Sequence, residues 1–414
     1  MTVLRYGIDA RVEFDPADGM VPGKATVPRG EPIVDVRAAV KAALAEPLDY
    51  PPLARCTTPA DRVVVALDHS HPQAAQVTAA SIEALIEAGV DPDGIAVLQT
   101  QADRDAGVED PCRLLPAGVR RRITRLTHDP NDRRQLAYLA ASEAGEAILI
   151  NRALHEADFV LPIGCLRHRE AAGYFGIHTS IYPAFSDAKT AQRFRGLASL
   201  NGHGERKREL IGMANNVAWL LGVCFTIQVV PGAGDQVLHV LAGESDAVRR
   251  RGRELYHAAW NCSVDEQASL VVAAIEGSAG QQTWENVARA LQVARRFAEE
   301  GGAIAVCTEL QTEPGPGMQQ LAAAESREVG LKQLRKERPV DALSAALVAR
   351  TLDRHKVYLL SRLDAGAVED LDMIPINDSA ELARLVRHHP SCVLLPSAPF
   401  YEGLLLVKAD GRRK

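Results

Sequence analysis

The chain has 414 residues, a length that more often folds into two domains than around one core. Hydrophobic residues make up 47% of it and charged residues 24%, the proportions of an ordinary globular protein. The net charge is −6 with both signs mixed along the chain, which argues against nucleic acid or an anionic membrane as the main partner. We therefore expect small-molecule ligands.

Cysteine usage and hydropathy indicate a cytoplasmic protein. The seven cysteines are scattered and form no C-x-x-C pair, so neither a disulfide framework nor a structural zinc site is expected. The N-terminus lacks a charged region followed by an apolar one, and no run of about eighteen apolar residues occurs. The sequence thus predicts neither an export signal nor a membrane anchor.

The first clear structural unit begins at residue 63, after a lead-in with a short predicted helix at 34–44. Residues 63–67 are a continuous apolar run typical of a buried strand, and residues 95–98 form a second strand. One face of the predicted helix between them carries Ala75, Ala79, Ile82 and Ile86. Gly89 ends that helix. The pattern predicts a βαβ unit with a right-handed crossover.

Similar patterns continue through both halves of the chain. Further strands are predicted at residues 123–126, 147–150, 159–163, 224–230, 236–241, 270–274, 303–307, 357–360 and 393–395. Further helices are predicted around residues 131–144, 206–221, 244–260 and 287–298. The turn at 231–235 predicts a hairpin. The predicted fold class is α/β: two α/β domains, residues 1–258 and 259–414, with mostly parallel sheets and an interdomain cleft.

Polar residues follow two of the predicted strands directly. Asp68-His69-Ser70-His71-Pro72 comes after the strand at 63–67, and residues 164–170 come after the strand at 159–163. Ligands of open α/β sheets bind outside the carboxyl ends of the strands. If these two strands are parallel neighbours, both polar segments open into one cleft.

The histidines of these segments are candidates for metal binding or proton transfer. His69 and His71 are two residues apart, which places both imidazoles on one side of an extended segment, and His168 and His178 come from the second polar segment and the loop after it. Four converging histidines could bind a transition metal, with His71 and His178 as ligands, or exchange protons near neutral pH. Alternatively, His69 and His71 bind backbone groups. Asp68 is a ligand, a base or an acceptor for turn N–H groups.

Several arginines and one glycine loop are candidates for binding anions. Two interpretations are open for four arginines: bidentate binding of a carboxylate or phosphate, or an ordinary surface position. They are Arg167, Arg169, Arg193 and Arg195. The segment 277–280 lies between a strand and a helix, where backbone N–H groups can hold a phosphate. Glu285 and Arg289, four residues apart, are interpreted as an exposed ion pair, with a position in the cleft as the alternative. The dinucleotide, P-loop, esterase and zincin motifs are absent from the sequence.

The order of segments resembles the nickel-pincer lactate racemase family. The resemblance runs through the lead-in 34–53, residues 61–63 and the loop 68–72, then through residues 151–158, 172–176 and 299–302. It implies two α/β domains with the active site between them, the first being the lactate-racemase-like one. It also implies a nickel ion held by a pyridine-derived nucleotide that is tethered to a lysine. The family interconverts 2-hydroxy-acid enantiomers by reversible hydride transfer, with histidines acting on the hydroxyl proton.

This sequence departs from the family at most catalytic positions. The family's D-x-T-R-P loop corresponds to Asp68–Pro72, which keeps Asp68, a hydroxyl at Ser70 and the proline but has His71 in place of the arginine. Asp103 replaces one acid/base histidine, and Arg169, beside His168, replaces the other. Thr179 replaces the tethering lysine, and Arg195 falls near the nickel-binding histidine. Glu285 and Arg289 replace a tyrosine and a lysine. A threonine cannot form the lysine amide, so the cofactor cannot be tethered by the family's route.

Three hypotheses remain open. The first is a racemase or epimerase of a 2-hydroxy acid that uses an untethered nickel-pincer nucleotide or a rebuilt metal site. Its predicted site residues are His168, His178 and Asp103 for catalysis, Asp68, Ser70, His71, Thr179 and Arg289 for the cofactor, and His71 and His178 for the metal. The second is a non-catalytic protein that binds a nucleotide or small carboxylate. The third is a lyase or hydrolase of a hydroxylated acid, with Asp68 or Asp103 as base.

Overall fold

The computed structural model describes residues 2–14, 23–24, 28–68, 71–101, 104, 109–143, 145–200, 204–262 and 266–404. Its strands are β1 (Thr2–Tyr6), β2 (Ala10–Phe14), β3 (Gly23–Lys24), β4 (Val63–Leu67), β5 (Ile95–Thr100), β6 (Thr124–His128), β7 (Leu136–Ala141), β8 (Ala147–Asn151), β9 (Phe159–Cys165), β10 (Phe225–Pro231), β11 (Val237–Glu244), β12 (Asn261–Cys262), β13 (Ala268–Ala274), β14 (Ala298–Cys307), β15 (Lys356–Leu360), β16 (Ile374–Ile376), β17 (Cys392–Leu395) and β18 (Glu402–Leu404).

The α-helices that accompany them cover the faces of two large sheets. They are α1 (Val36–Ala45), α2 (Ala74–Glu87), α3 (Ala117–Arg122), α4 (Arg152–Glu156), α5 (Ala188–Phe194), α6 (Glu205–Leu220), α7 (Ser245–Trp260), α8 (Trp284–Phe297), α9 (Pro316–Ala322), α10 (Arg327–Glu337), α11 (Ala342–Leu352), α12 (Ala365–Glu369) and α13 (Ser379–His388). Within the described parts of the chain, no helix is both long and apolar enough to cross a membrane.

The first sheet has the strand order β11–β10–β9–β4–β5–β6, and only the β10–β11 hairpin is antiparallel. Strand β4 is buried along its whole length because both faces of the sheet are covered. Val63, Val65 and Leu67 pack in one apolar cluster with α1 and α2, whereas Val64 and Ala66 pack in another with α6. The predicted βαβ unit is confirmed, and Gly89 ends its helix with a φ of +100°.

The second sheet has the order β16–β15–β14–β13–β17–β3 and is parallel throughout. Strand β13 is again buried on both faces, with α8 and α11 on one side. The structure thus confirms the predicted α/β fold with mostly parallel sheets. The N-terminal strands β1, β2 and β3 lie with this second sheet, since Leu4, Val12 and Phe14 pack against β13. The domain boundary at 258 stays a prediction.

One predicted helix is wrong. Residues 131–144 form a short 3₁₀ turn followed by strand β7, which pairs with β8 in an antiparallel hairpin. The alanines and leucines of this segment favour a helix locally, but the turn around Gly145, with a φ of +74°, brings β8 alongside. Pairing with β8 then overrides the local preference.

Candidate functional site

The candidate site lies where the strand order of the first sheet reverses. Strand β4 has β5 on one side and β9 on the other, so the loops that leave β4 and β9 diverge and open a crevice. The backbone N–H of Asp68 donates to Ile163 O at 3.0 Å, which fixes the first loop against the second strand. The prediction that both polar segments share one cleft is confirmed, because the charges of Asp68 and Arg167 both act on His71.

The second half of the molecule closes this crevice. Arg289 of α8 donates through Nε to Ala172 O at 3.0 Å, and Gln292 one turn later donates to Glu170 O at 3.0 Å. The Arg167 guanidinium lies 5.4 Å from the ring centroid of Phe400, which follows β17. The strand order of the second sheet reverses between β13 and β17, so the two reversal points face each other across the cleft.

His71 is the most distinctive group of the site. Its side chain is 3% exposed, and Nδ1 donates to Pro72 O at 2.9 Å because a carbonyl can only accept. This bond places the proton on Nδ1 and leaves the lone pair on Nε2, which has no hydrogen-bond partner among the described residues. Burial lowers the pKa of His71, with a further lowering by Arg167. A neutral imidazole with a free lone pair is a candidate general base.

Two buried guanidinium groups, one from each half, lie near Asp68, and one of them, Arg167, also acts on His71. Burial and the nearby charge of Arg167 lower the pKa of Arg289 to about 10, although Glu285 and Asp68 oppose them. For Arg167, burial favours a lower pKa, but Cys165 and Asp68 outweigh it and the pKa is raised. Because like charges held together in a buried site are costly, this pair favours an anion between them.

The surroundings of Arg289 correct one sequence interpretation. The Glu285–Arg289 pair is not on the surface: the arginine side chain is 6% exposed and the carboxylate 49%. Arg289 also donates through Nη1 to Asn286 Oδ1 at 3.1 Å. Three of its five N–H groups therefore bind described residues, which holds the guanidinium in place and leaves two N–H groups for a ligand.

The wall of the site contains weakly acidic side chains that the sequence did not single out. Burial raises the pKa of the Cys165 thiol to about 12 and raises the pKa of Tyr174 and Tyr256 as well. The hydroxyl of Tyr256 donates to Phe400 O. These groups stay neutral, so Asp68 and the arginines set the charge of the site. A thiol and two phenols carry no local pattern that distinguishes them from ordinary core residues.

His178 is buried near the beginning of α7. Its side chain is buried, and burial lowers its pKa to about 4, with Asp246 and Glu244 opposing. These carboxylates belong to the beginning of α7, whereas Asp68 and Arg167 act on His71. Different charged groups thus act on the two predicted metal ligands. No group of three or more His, Cys, Asp or Glu side chains in the described ranges could hold a metal ion. Metal binding stays a prediction.

The other predicted residues have varied positions. His168 accepts from the backbone N–H of Glu170 at 3.2 Å through Nδ1, at the edge of the cleft. The hydroxyl of Thr179 donates to Gly176 O at 2.7 Å and accepts from Phe175 N–H at 2.9 Å, so it stabilises its own turn. His69, Ser70 and Asp103 lie outside the described residues.

The glycine loop 277–280 is occupied by a carboxylate of the protein itself. Asp235, in the turn between β10 and β11, accepts from the backbone N–H of Ser278 at 2.6 Å and from its hydroxyl at 3.2 Å. The loop therefore does bind an anionic group, as its position predicts, but that group is internal. The phosphate interpretation of this loop is not supported.

Lys207 of α6 is a buried cation beside the site, and no sequence pattern indicates its position. Its side chain is 1% exposed, Nζ donates to Ala171 O at 3.1 Å, and the ammonium lies 5.8 Å from the ring centroid of Phe175. Burial lowers its pKa to about 8, with contributions from Arg289 and Arg169, while Glu170 opposes.

We expect Lys207→Met to stabilise the protein near neutral pH. Because the pKa falls from 10.5 to about 8, protonated Lys207 costs the folded state about 3 kcal/mol below the folded pKa. The bond to Ala171 O and the contact with Phe175 return about 1–2 kcal/mol, so the net gain is about 1–2 kcal/mol. The gain should disappear as the pH rises from the folded pKa to the unfolded one. Urea unfolding at both ends of this range measures it.

Lys332→Met is the matched control for that measurement, since this lysine is 66% exposed on α10. It should leave the free energy of unfolding nearly unchanged at either pH. A loss of stability in Lys207→Met at both pH values would contradict the assignment of a costly buried charge.

Comparison with known proteins supports the family and the fold. Residues 10–206 match the sequence profile of the lactate racemase N-terminal domain. No curated protein matches the sequence. The solved lactate racemase apoprotein from Thermoanaerobacterium thermosaccharolyticum has a TM-score of 0.74 and 17% identity, over 97% of this chain and 99% of that chain. A Thermotoga maritima protein has a TM-score of 0.65 and 16% identity, over 91% of this chain and 99% of its own.

Proposed function

Because residues 10–206 match the profile of the lactate racemase N-terminal domain and the whole chain has the lactate racemase fold, we propose that this protein is a divergent racemase or epimerase of small 2-hydroxy acids. The resemblance drawn from the sequence is confirmed at the level of family and fold. The observation that carries the proposal is a buried cluster in which Arg167 acts both on His71, with its free Nε2, and on Arg289 from the opposite half.

The arginines suit the carboxylate of such a substrate. A guanidinium offers parallel N–H groups that match the two oxygens of a carboxylate, and Arg289 is held rigidly by its bonds to Ala172, Asn286 and Glu285. Burial and repulsion by Arg167 lower the pKa of Arg289, and a carboxylate between the two arginines would offset that repulsion. Because one arginine comes from each half of the chain, binding of the carboxylate requires both halves. The proposed site therefore lies in the cleft between them.

His71 suits the hydroxyl group next to that carboxylate. A 2-hydroxy acid places its hydroxyl one carbon away from the carboxylate, so a substrate held by the arginines presents this group to a neighbour of Arg167. Nε2 of His71 would accept the hydroxyl proton and return it. The hydride on the same carbon needs an acceptor, which an untethered nickel-pincer nucleotide would supply when bound. Its lowered pKa keeps the nitrogen unprotonated below the usual range of histidine, so it stays ready as a base.

The family's lysine-tethered nickel nucleotide does not fit the residues present. Thr179 stands where the tethering lysine is expected, and both of its hydroxyl bonds close its own turn. A hydroxyl group has no amine with which to form the family's amide link, and this one is already bonded within its turn. We therefore assign no step of the reaction to a tethered cofactor. Binding of a nickel-pincer nucleotide without the covalent link stays a prediction.

The same threonine supports a second candidate, a non-catalytic protein that binds a small carboxylate or nucleotide in the cleft. A protein without the tethering lysine but with these buried arginines would still bind an anion and would not convert it. The two candidates differ in one respect: only the racemase changes the configuration of the bound acid.

A chiral assay with a parallel binding assay tests both candidates. Each enantiomer of lactate and of larger 2-hydroxy acids is incubated with protein expressed alone or together with the enzymes that make the nickel nucleotide, and products are separated by chiral chromatography. Thermal shift measures binding of the same acids. We expect formation of the opposite enantiomer by at least one preparation. Binding without any change of configuration would support the second candidate. If the acids are neither bound nor converted, both candidates are rejected.

A further inference from the structure

A second cavity, whose lining does not include His71, Arg167 or Arg289, is lined by five arginines. It has a volume of about 390 Å³ and lies where the segment after α5 and the start of α6 meet helices α10 and α11. The guanidinium groups come from both halves of the chain: Arg193, Arg206, Arg335, Arg338 and Arg350. We call this feature the arginine pocket, and we propose that it binds the pyrophosphate group of a small phosphorylated molecule.

The charges of the pocket are only partly balanced by the protein. Arg193 pairs with Glu146, and Arg206 pairs with Glu209 at 2.7 Å. Among the described residues, none of the other three arginines forms an ion pair. Burial lowers the pKa of Arg350, and the charge of Arg335 lowers it further, so these two guanidinium groups repel each other. The pocket thus has an excess of three positive charges that an external anion would balance.

The backbone adds to this preference for an anion. Helix α6 begins beside the pocket, and its N-cap, Gly204, provides no side-chain hydrogen bond, so the first N–H groups of the helix are not capped by it. Arg338 has a φ of +50°, a left-handed conformation at the end of α10 where glycine or asparagine is usual. An arginine at this strained position is consistent with a role for its side chain.

The lining indicates a phosphate chain rather than a nucleobase. Besides the arginines, the described lining residues are Gly196, Leu197 and Ser199, and none of them is aromatic. Bases are usually held by stacking on aromatic rings, whereas guanidinium groups match phosphate oxygens in bidentate fashion. The volume is at the lower end of the range for ligand pockets, about 300–1,000 Å³. Three excess charges and this volume suit two linked phosphates better than a single one.

Calorimetric titration with inorganic pyrophosphate, ADP and inorganic phosphate at fixed ionic strength tests the proposal. We expect pyrophosphate and ADP to bind with one site per chain and similar affinity, and phosphate to bind at least about tenfold more weakly. Absence of saturable pyrophosphate binding, or much tighter binding of ADP, would overturn recognition of the phosphates alone. These anions are not substrates of the proposed racemase, so the outcome does not depend on that function.

Two pairs of substitutions locate the binding. Arg335→Gln with Arg350→Gln removes two of the unpaired arginines and should weaken pyrophosphate binding about tenfold or more. Arg253→Gln with Arg384→Gln removes the same charge from exposed positions on α7 and α13 and should change it less than about twofold. The pocket variant should melt at the same or a higher temperature without ligand, because it loses a repulsion. Equal weakening in both pairs, or none in the first, would rule out the pocket.

Discussion

Replacing His71 with glutamine is expected to lower kcat for the interconversion of 2-hydroxy-acid enantiomers by about 10²–10⁴-fold while leaving KM nearly unchanged. Glutamine is similar in length to histidine and can keep a bond to Pro72 O, so the loop should hold its shape. It cannot accept and return a proton, which is the role we assign to Nε2. The loss should therefore fall on turnover and not on binding. Chiral chromatography under saturating substrate measures it.

The pH profile of the wild-type protein gives an independent check on His71. A histidine whose pKa is lowered stays unprotonated as the pH falls below the ordinary value of 6.5. Turnover should therefore persist below this value and decline only at more acidic pH. His155→Gln, at an exposed position on α4, is the matched control and should keep wild-type turnover. Equal turnover in His71→Gln and wild type would remove His71 from the mechanism.

The position of His71 shows how far the sequence leads. The apolar run 63–67 identifies a buried strand without ambiguity, and polar residues directly after such a strand lie at the carboxyl edge of the sheet. That part of the site is readable because it depends on neighbours along the chain. The surroundings of His178 cannot be read in this way, since they depend on how the chain folds back after β9 and places His178 near α7.

Arg289 is a site residue whose burial cannot be predicted from the neighbouring sequence. Two opposite charges four residues apart on a helix look the same whether the helix face meets solvent or another segment. Burial of Arg289 comes from contact with Ala172, which lies more than a hundred residues earlier in the chain. Lys207 was missed for the same reason, because its surrounding helix sequence is polar. The charges that define the cleft are thus created by contacts between the halves, which no local pattern records.

Arg289→Gln is expected to weaken binding of 2-hydroxycarboxylates by about 10²-fold or more, since truncating one member of a buried charged contact costs about 2–5 kcal/mol. Arg167 would remain as a single cation, and its neighbour Asp68 would oppose the incoming carboxylate. Stability should fall less than binding because Glu285, the carboxylate left behind, is half-exposed and can be solvated. Thermal shift or calorimetry with each enantiomer of lactate measures the affinity.

Arg296→Gln separates anion binding from attachment of the two halves. Arg296 lies on the same helix and also reaches the first half, where it pairs with Glu170, but it is more exposed than Arg289. If Arg289 served only to hold the halves together, both substitutions would weaken binding alike. If it recognises the carboxylate, Arg296→Gln should change affinity by less than about threefold, as expected for a partly exposed ion pair. Binding of the proposed carboxylate would then depend on one buried guanidinium from each half of the chain.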